Sequence, residues 1–416
     1  MSKLRKFIIN LLGDLVRIES INPPGLNYDV IADLLRDFLK NLGLTVKLIE
    51  IPEDYLDKYY PYRPQHRGFK RVIVYARAGK GKPILQFNGH YDVVPPGPGW
   101  SMDPFKLVVR GGKAYGRGVS DMKGGIVAVL ATLQSLIEEG KLDSLEGSLE
   151  VVFVPDEESA GIGTKYFVEK VMESKPKYVI IPEPTSLRNI VIGHKGLARG
   201  IIRVYGKQAH ASTPWLGDNA FLKAAKLALR INREFKRRFS QEKSNYLMEY
   251  GKASYNTLTL GGYAISPTGK ESIVPGAFEF SFDMRSIPEC DIRGLVRKLS
   301  KLIYEYNVRA EVTLLTLVDS VVLERSKLTQ IIKECTSKIL GFEPREVVSS
   351  GRLDITYYIP LGVEAVAYGP GDPKQPHKAN EYIKLRDIEY AVQAYKYLIE
   401  HVTFKNSKIK KDMASV

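Results

Sequence analysis

A chain of 416 residues is longer than one hydrophobic core ordinarily serves, so two or three domains are expected. With 44% hydrophobic, 26% charged and 10% aromatic residues, the composition is that of a globular protein and excludes a fibrous or disordered one. A net charge of +14 raises nucleic-acid binding, but Lys and Arg are spread along the chain and the one dense run, 405–411, carries no aromatic residue; a charge-rich solvated surface is the reading, with no nucleic-acid partner.

The start, MSKLRKFIINLLGDLVRIES, is basic and then apolar, but Asp14, Arg17 and Glu19 interrupt it and no small-residue cleavage site follows. It predicts an amphipathic helix over 3–19 rather than an export signal. Helical patterns recur at 28–43, 122–140 and 163–173, with Gly140 where a helix would end. Between them the short apolar runs VIVYA, ILQFNG, LEVVFVP and YVIIP read as strands. This alternation, up to about residue 193, predicts an α/β domain: a mostly parallel sheet with helices on both faces. The Tyr-, Pro- and Arg-rich segment 51–70 reads as a surface loop.

From 194 to 317 the order changes to a strand (199–206), a helix (219–238), strands near 254–262 and 277–286, a helix (291–306) and a strand (308–317). That is β-α-β-β-α-β, the ferredoxin-like α+β order. Alternation then resumes with a helix at 325–340, the run GVEAVAYGP and a helix at 385–402, so 1–193 and 318–416 make one discontinuous domain interrupted by 194–317. No stretch of about 18 uncharged apolar residues predicts a membrane span. Cys290 and Cys335 could form at most one bridge, which suits a reducing, cytoplasmic setting for a soluble protein.

Polar residues fall at matching places. His90 and Asp92 follow ILQFNG, Asp121 precedes a helix, Glu157 and Glu158 follow VVFVP, and Glu183 follows VIIP. Each sits just past the C-terminal end of a predicted strand or in the loop after it, the edge at which open α/β sheets bind ligands. Histidine and carboxylates without nearby cysteine suit zinc or a similar divalent ion, and a carboxylate able to bridge makes a two-metal site natural. His90, Asp121, Glu158, Glu183 and His377 would supply the ligands. Asp92 is placed to accept the other imidazole proton of His90. Glu157, not needed as a ligand, would then take a proton from the attacking water.

The segments NGHYDVVPPG, GRGVSDMKGG, PDEESAG, PEPT and, far downstream, PHKANEYI resemble the metallopeptidase and deacylase family that includes acetylornithine deacetylase, succinyl-diaminopimelate desuccinylase, aminoacylase and glutamate carboxypeptidase. The resemblance runs from LVRIESINPPG to PHKANEYI, almost the whole chain. It implies His90 and Asp121 as metal ligands with Asp121 bridging, Glu157 as the base, Glu158 and Glu183 each on one metal, and His377 completing the second. The implied cofactors are two zinc ions, with cobalt able to replace them. The implied architecture is a catalytic α/β domain interrupted by a lid domain that dimerises. GKQAHASTP resembles the lid motif whose histidine steadies the oxyanion, which gives that role to His210. FDMRSIP resembles the strand whose arginine grips a substrate carboxylate, which points to Arg285.

Two segments depart from the pattern. Many relatives have Asn before VPG where this chain has Ser272, and SSGRLDITYY matches only loosely the Gly-rich loop from which Gly351 and Asp354 are assigned to the substrate pocket. His66, His194 and His401 match no functional position and read as structural or exposed. The expected activity is hydrolysis of an amide bond beside a free carboxylate, most simply in an N-acylated amino acid. The alternatives are a zinc carboxypeptidase or dipeptidase acting on a short peptide and, remotely, a non-catalytic binding protein on the same fold.

Overall fold

The computed structural model describes residues 2–142, 145–267 and 269–404, and the basic run 405–411 lies outside them. The chain divides into two compact units, one of Met1–Ile192, Leu323–Glu346 and Leu353–Val416, the other of Gly193–Val322 and Val347–Arg352.

The first unit is built on a mixed sheet whose strands run in the order Thr45–Glu50, Val72–Gly79, Ser148–Val154, Pro83–His90, Tyr178–Ile181, Glu364–Ala367 and Asn189–His194. Ser148–Val154, Pro83–His90, Tyr178–Ile181 and Glu364–Ala367 are mutually parallel, and the other three strands pair antiparallel. Every residue of Ser148–Val154 is buried. Successive side chains of a strand point to opposite faces, so a strand buried at every position needs cover on both. Val152 and Val154 pack with Ile51, Leu56, Tyr60, Ile162 and Phe167 on one face. The first helix, Lys3–Arg17, is amphipathic as expected, buries Ile8, Leu11, Leu12, Leu15 and Val16, and is capped by Ser2, whose hydroxyl accepts the Arg5 N–H at 3.2 Å.

Two local expectations need correction. The segment 51–70 is more than a surface loop: it carries the helix Glu53–Tyr59, contributes Ile51, Leu56 and Tyr60 to the core, and buries His66 completely. Its apolar positions are too few to show a period, and the interspersed Pro and Arg hide them. The helix predicted over 163–173 is α-helical only at Ile162–Tyr166 and widens to a π-helical turn at Phe167–Val171.

In the second unit four antiparallel strands lie in the order Thr257–Ile265, Ala277–Ser286, Gly196–Tyr205 and Ala310–Val318. With the helices Ala220–Phe239 and Ile292–Glu305 this is the β-α-β-β-α-β connection. Ala220–Phe239 buries residues spaced three or four apart (Ala220, Ala224, Leu227, Ile231, Phe235, Phe239) against Ile202, Val204, Phe280 and Phe282. Cys290 and Cys335 are both free thiols, and no helix among the described residues is long and apolar enough to cross a membrane.

Candidate metal centre

His90 closes the strand Pro83–His90 and pairs in parallel register with Val154, while Phe87 pairs with Ile180. The segments carrying Asp92, Glu157 and Glu158, and Glu183 therefore leave the sheet at one edge. Asp121 stands just before the helix Lys123–Glu138, and the peptide after it is cis. His377, with φ at +65°, comes from the segment after Glu364–Ala367.

These segments bring donors together in two groups. Ligand atoms of His90, Asp121 and Glu183 lie within 4.8 Å of one another, and so do those of Asp121, Glu158 and His377. Asp121 belongs to both, with Oδ1 3.1 Å from His90 Nε2 and Oδ2 3.5 Å from His377 Nε2. His90 Nε2 is also 3.6 Å from Glu183 Oε1, and His377 Nε2 is 2.9 Å from Glu158 Oε1.

The electrostatics match a site meant for cations. Burial, reinforced by the charge of Asp121, raises the Glu183 carboxyl well above its ordinary range and raises Glu158 as well. Burial alone would lower His90, but its hydrogen bonds to Asp121 and Asp92 and the nearby Glu183 prevail and raise it. Hydrogen bonds to Asp121 and Glu158 push His377 up to about 11. Crowded carboxylates that hold on to protons are a site in which positive charge is wanted. Imidazole nitrogen and carboxylate oxygen without sulfur fit divalent cations of the zinc type.

Asp92 departs from the simple expectation. The nearer acceptor for His90 Nδ1 is the Asp92 main-chain carbonyl at 3.0 Å, with the carboxylate at 3.4 Å. An Nδ1–H held there leaves the Nε2 lone pair facing Asp121 and Glu183. The Asp92 carboxylate instead accepts the main-chain N–H groups of Glu157 at 3.1 Å and Glu158 at 3.2 Å, together with Asn22 Nδ2 at 2.8 Å. It sets the position of the glutamate pair.

Sequence reasoning missed two further groups. Glu381, fully buried, accepts N–H groups from Gly118, Ser120 and Asp121 and pairs with Arg117 at 2.8 Å. It thereby holds the turn that carries the shared ligand. The second is Asp156, fully buried with φ at +61°, which accepts from Asn22, Tyr28 and the equally buried Arg71. Burial, opposed by Arg71, pushes Asp156 up to about 6. PHKANEYI contains Glu381 and PDEESAG contains Asp156, so the signal was present, but nothing in a sequence marks a carboxylate as buried.

Of the other expected residues, Asp354 lies in the first unit, 1% exposed, and accepts from the Thr164 hydroxyl at 2.5 Å. His210, Arg285 and Gly351 stand in the second unit. His210 is exposed and its Nδ1 accepts the Ser212 N–H at 3.1 Å, which leaves Nε2 as the proton-bearing nitrogen. Arg285 forks onto Asp283, at 2.7 and 3.2 Å. His66, His194 and His401 are all buried.

The model of a protein family described as Peptidase family M20/M25/M40 matches residues 86–401. A succinyl-diaminopimelate desuccinylase of Methylococcus capsulatus is 26% identical over 335 residues, covering 78% of this chain and 85% of the relative. Among solved structures, a tripeptidase from Staphylococcus aureus superposes with a TM-score of 0.74 at 22% identity, covering 96% of this chain and 98% of that one. A metallo-carboxypeptidase from Sulfolobus solfataricus also gives 0.74, at 21% identity with 96% and 99% covered. The two structural likenesses speak to the fold.

Proposed function

This chain belongs to the peptidase family M20/M25/M40 and is a metal-dependent amide hydrolase, and from that premise we propose that it removes the acyl group from an N-acylated amino acid, cutting an amide bond beside a free carboxylate. The observation that carries the reading is the Asp121 carboxylate with one oxygen toward each donor group. The desuccinylase name of the curated relative favours deacylation over peptide trimming.

In this reading His90, Asp121 and Glu183 hold one divalent cation, and Asp121, Glu158 and His377 hold a second, zinc or cobalt in each case. When bound, such ions polarise a carbonyl and lower the pKa of bound water toward about 7. Glu157, set by the Asp92 carboxylate, takes the proton from the attacking water and delivers it to the leaving nitrogen. Asp92, through its carbonyl, keeps the His90 tautomer. His210 is assigned to the developing oxyanion by its motif, and an Nε2–H suits that task. Arg285 is assigned to the substrate carboxylate by its motif; with Nε and one Nη2 hydrogen on Asp283, its other Nη hydrogens are the donors for that carboxylate. Gly351 and Asp354 are assigned to the substrate pocket. Because the Asp354 side chain is buried against Thr164, it acts by positioning the chain around it. The reading includes a cytoplasmic homodimer joined through the second unit, whose strand Thr257–Ile265 is an exposed sheet edge.

The test is a screen of N-succinyl and N-acetyl amino acids against C-terminally free blocked dipeptides, with zinc or cobalt supplied. Turnover of the acylated amino acids ahead of the dipeptides is expected. Preference for the dipeptides would make the enzyme a carboxypeptidase, and hydrolysis of none would overturn the proposal.

A further inference from the structure

A second place in the first unit gathers ligand atoms. On the helix Glu53–Tyr59, Glu53 and Asp57 stand four residues apart and so share a face. The chain then turns back and sets His66 beside them, with one ligand atom from each of the three within 4.8 Å of the others. Two exposed carboxylates alone would mean little. His66 changes that. Its side chain is fully buried, and neither ring nitrogen makes a hydrogen bond among the described residues, although Nε2 stands 3.0 Å from Asp57 Oδ1. Buried imidazoles ordinarily satisfy their donor and their acceptor nitrogen. A buried imidazole without hydrogen bonds, gathered with two carboxylates, is the arrangement a cation ligand has. The ring is set edge-on against Tyr60, with centroids 5.5 Å apart.

We propose that Glu53, Asp57 and His66 form a separate site for a divalent cation of the zinc class, and that the ion fastens the segment 51–70 to the first unit. Nitrogen and carboxylate donors suit zinc or cobalt, and three protein ligands leave a position for water. The fastening reaches further than the loop. The His66 carbonyl accepts from Arg71 Nη1 at 3.0 Å, and Arg71 pairs with Asp156 at 3.1 Å, next to Glu157. Arg67 opposes the ion, with Nη2 3.3 Å from Asp57 Oδ1 and Nε 3.6 Å from Glu53 Oε1.

The full chain is stripped with a chelator, reloaded with zinc, freed of excess ion and assayed for metal per chain by plasma mass spectrometry. Cobalt titration followed by visible absorption gives the affinity. Asp57→Asn and Glu53→Gln change exposed side chains, and each is expected to hold one ion fewer than the parent while hydrolysis stays within about twofold. Arg67→Ala is expected to bind that ion roughly three- to tenfold more tightly, since it removes the competing charge. His66→Ala should repeat the loss, but His66 is buried, so the exposed variants carry the decision. Equal metal content and superimposable cobalt titrations for the parent and Asp57→Asn would overturn the site, independently of which amide the enzyme cuts.

Discussion

Asp121 offers one carboxylate oxygen to each imidazole while Glu381 holds its main chain, so the centre depends on a pair of carboxylates doing different work. Replacing Glu381 with Gln removes the charge that pairs with Arg117. Metal affinity is expected to fall by about 10- to 100-fold, as for other groups that orient ligands, and cobalt titration measures it. Glu157→Gln should behave oppositely. Its metal content stays at the parent value while kcat drops by about 100- to 10,000-fold, the usual worth of a positioned base. Parallel metal analysis and steady-state kinetics separate the two, and near-parent turnover in Glu157→Gln would remove it from the mechanism. At this scale the sequence was legible where a residue type announces its chemistry. His90, Glu158 and Glu183 stood out because they follow predicted strands at one sheet edge, and His377 because PHKANEYI resembles the family motif. Glu381, Asp156 and Arg71 did not, since their importance comes from complete burial among main-chain donors and opposite charge, which only the fold creates.

The helix Lys123–Glu138 shows how an element delivers a ligand to its place. Nearly all of its sides are buried, and its first turn, Lys123-Gly124-Gly125, follows Asp121 and Met122 directly. A Cβ on Gly125 would lie 2.0 Å from the Pro182 carbonyl oxygen, and one on Gly124 would lie 2.3 Å from that of Val119. Gly125 lets this helix approach the segment carrying Glu183, and Gly124 lets it approach the turn before Asp121. Gly125→Ala is expected to destabilise the protein by about 2–4 kcal/mol through overpacking against main chain that cannot yield, as read by urea unfolding. Elements with long periodic patterns were legible. The helix at 3–19 is seen as Lys3–Arg17 and the one at 385–402 as Leu385–Thr403. The segment 51–70 was not, because a two-turn helix followed by a single buried histidine leaves no period to detect.

At the scale of the whole molecule, stability is expected to depend on protons and on metal. His194, fully buried at the end of the strand Asn189–His194, is pushed by burial from 6.5 down to about 4. Below the ordinary histidine value the unfolded chain binds the proton and the folded chain does not, so this contribution is complete above about pH 6.5. It is lost as pH falls toward 4, by about 3 kcal/mol in all. Urea unfolding at pH 4.5 and 7 should show that loss, and His194→Gln should shrink it. Chelation is expected to lower the melting temperature, and returned metal to raise it with concentration. An ion at 100 times its dissociation constant stabilises the folded state by about 2.7 kcal/mol. A melting curve indifferent to both would argue that the acidic centre is stable without cations. The alternation of strands and helices was legible across the chain because both patterns persist over many residues. The divided sheet order, with Ser148–Val154 between Val72–Gly79 and Pro83–His90, was not, since pairing partners are chosen by packing between distant segments.

His377 and Glu381 stand on one short stretch, and Glu381 reaches back across 263 residues to Gly118. A chain growing from the ribosome therefore carries His90, Asp121, Glu158 and Glu183 long before the turn around Asp121 can be clamped or the second donor group filled. Synthesis order is therefore expected to keep the nascent chain inactive until the C-terminal segment is made. A product broken off before residue 377 lacks a donor and the clamp at one stroke, and is expected to hydrolyse nothing.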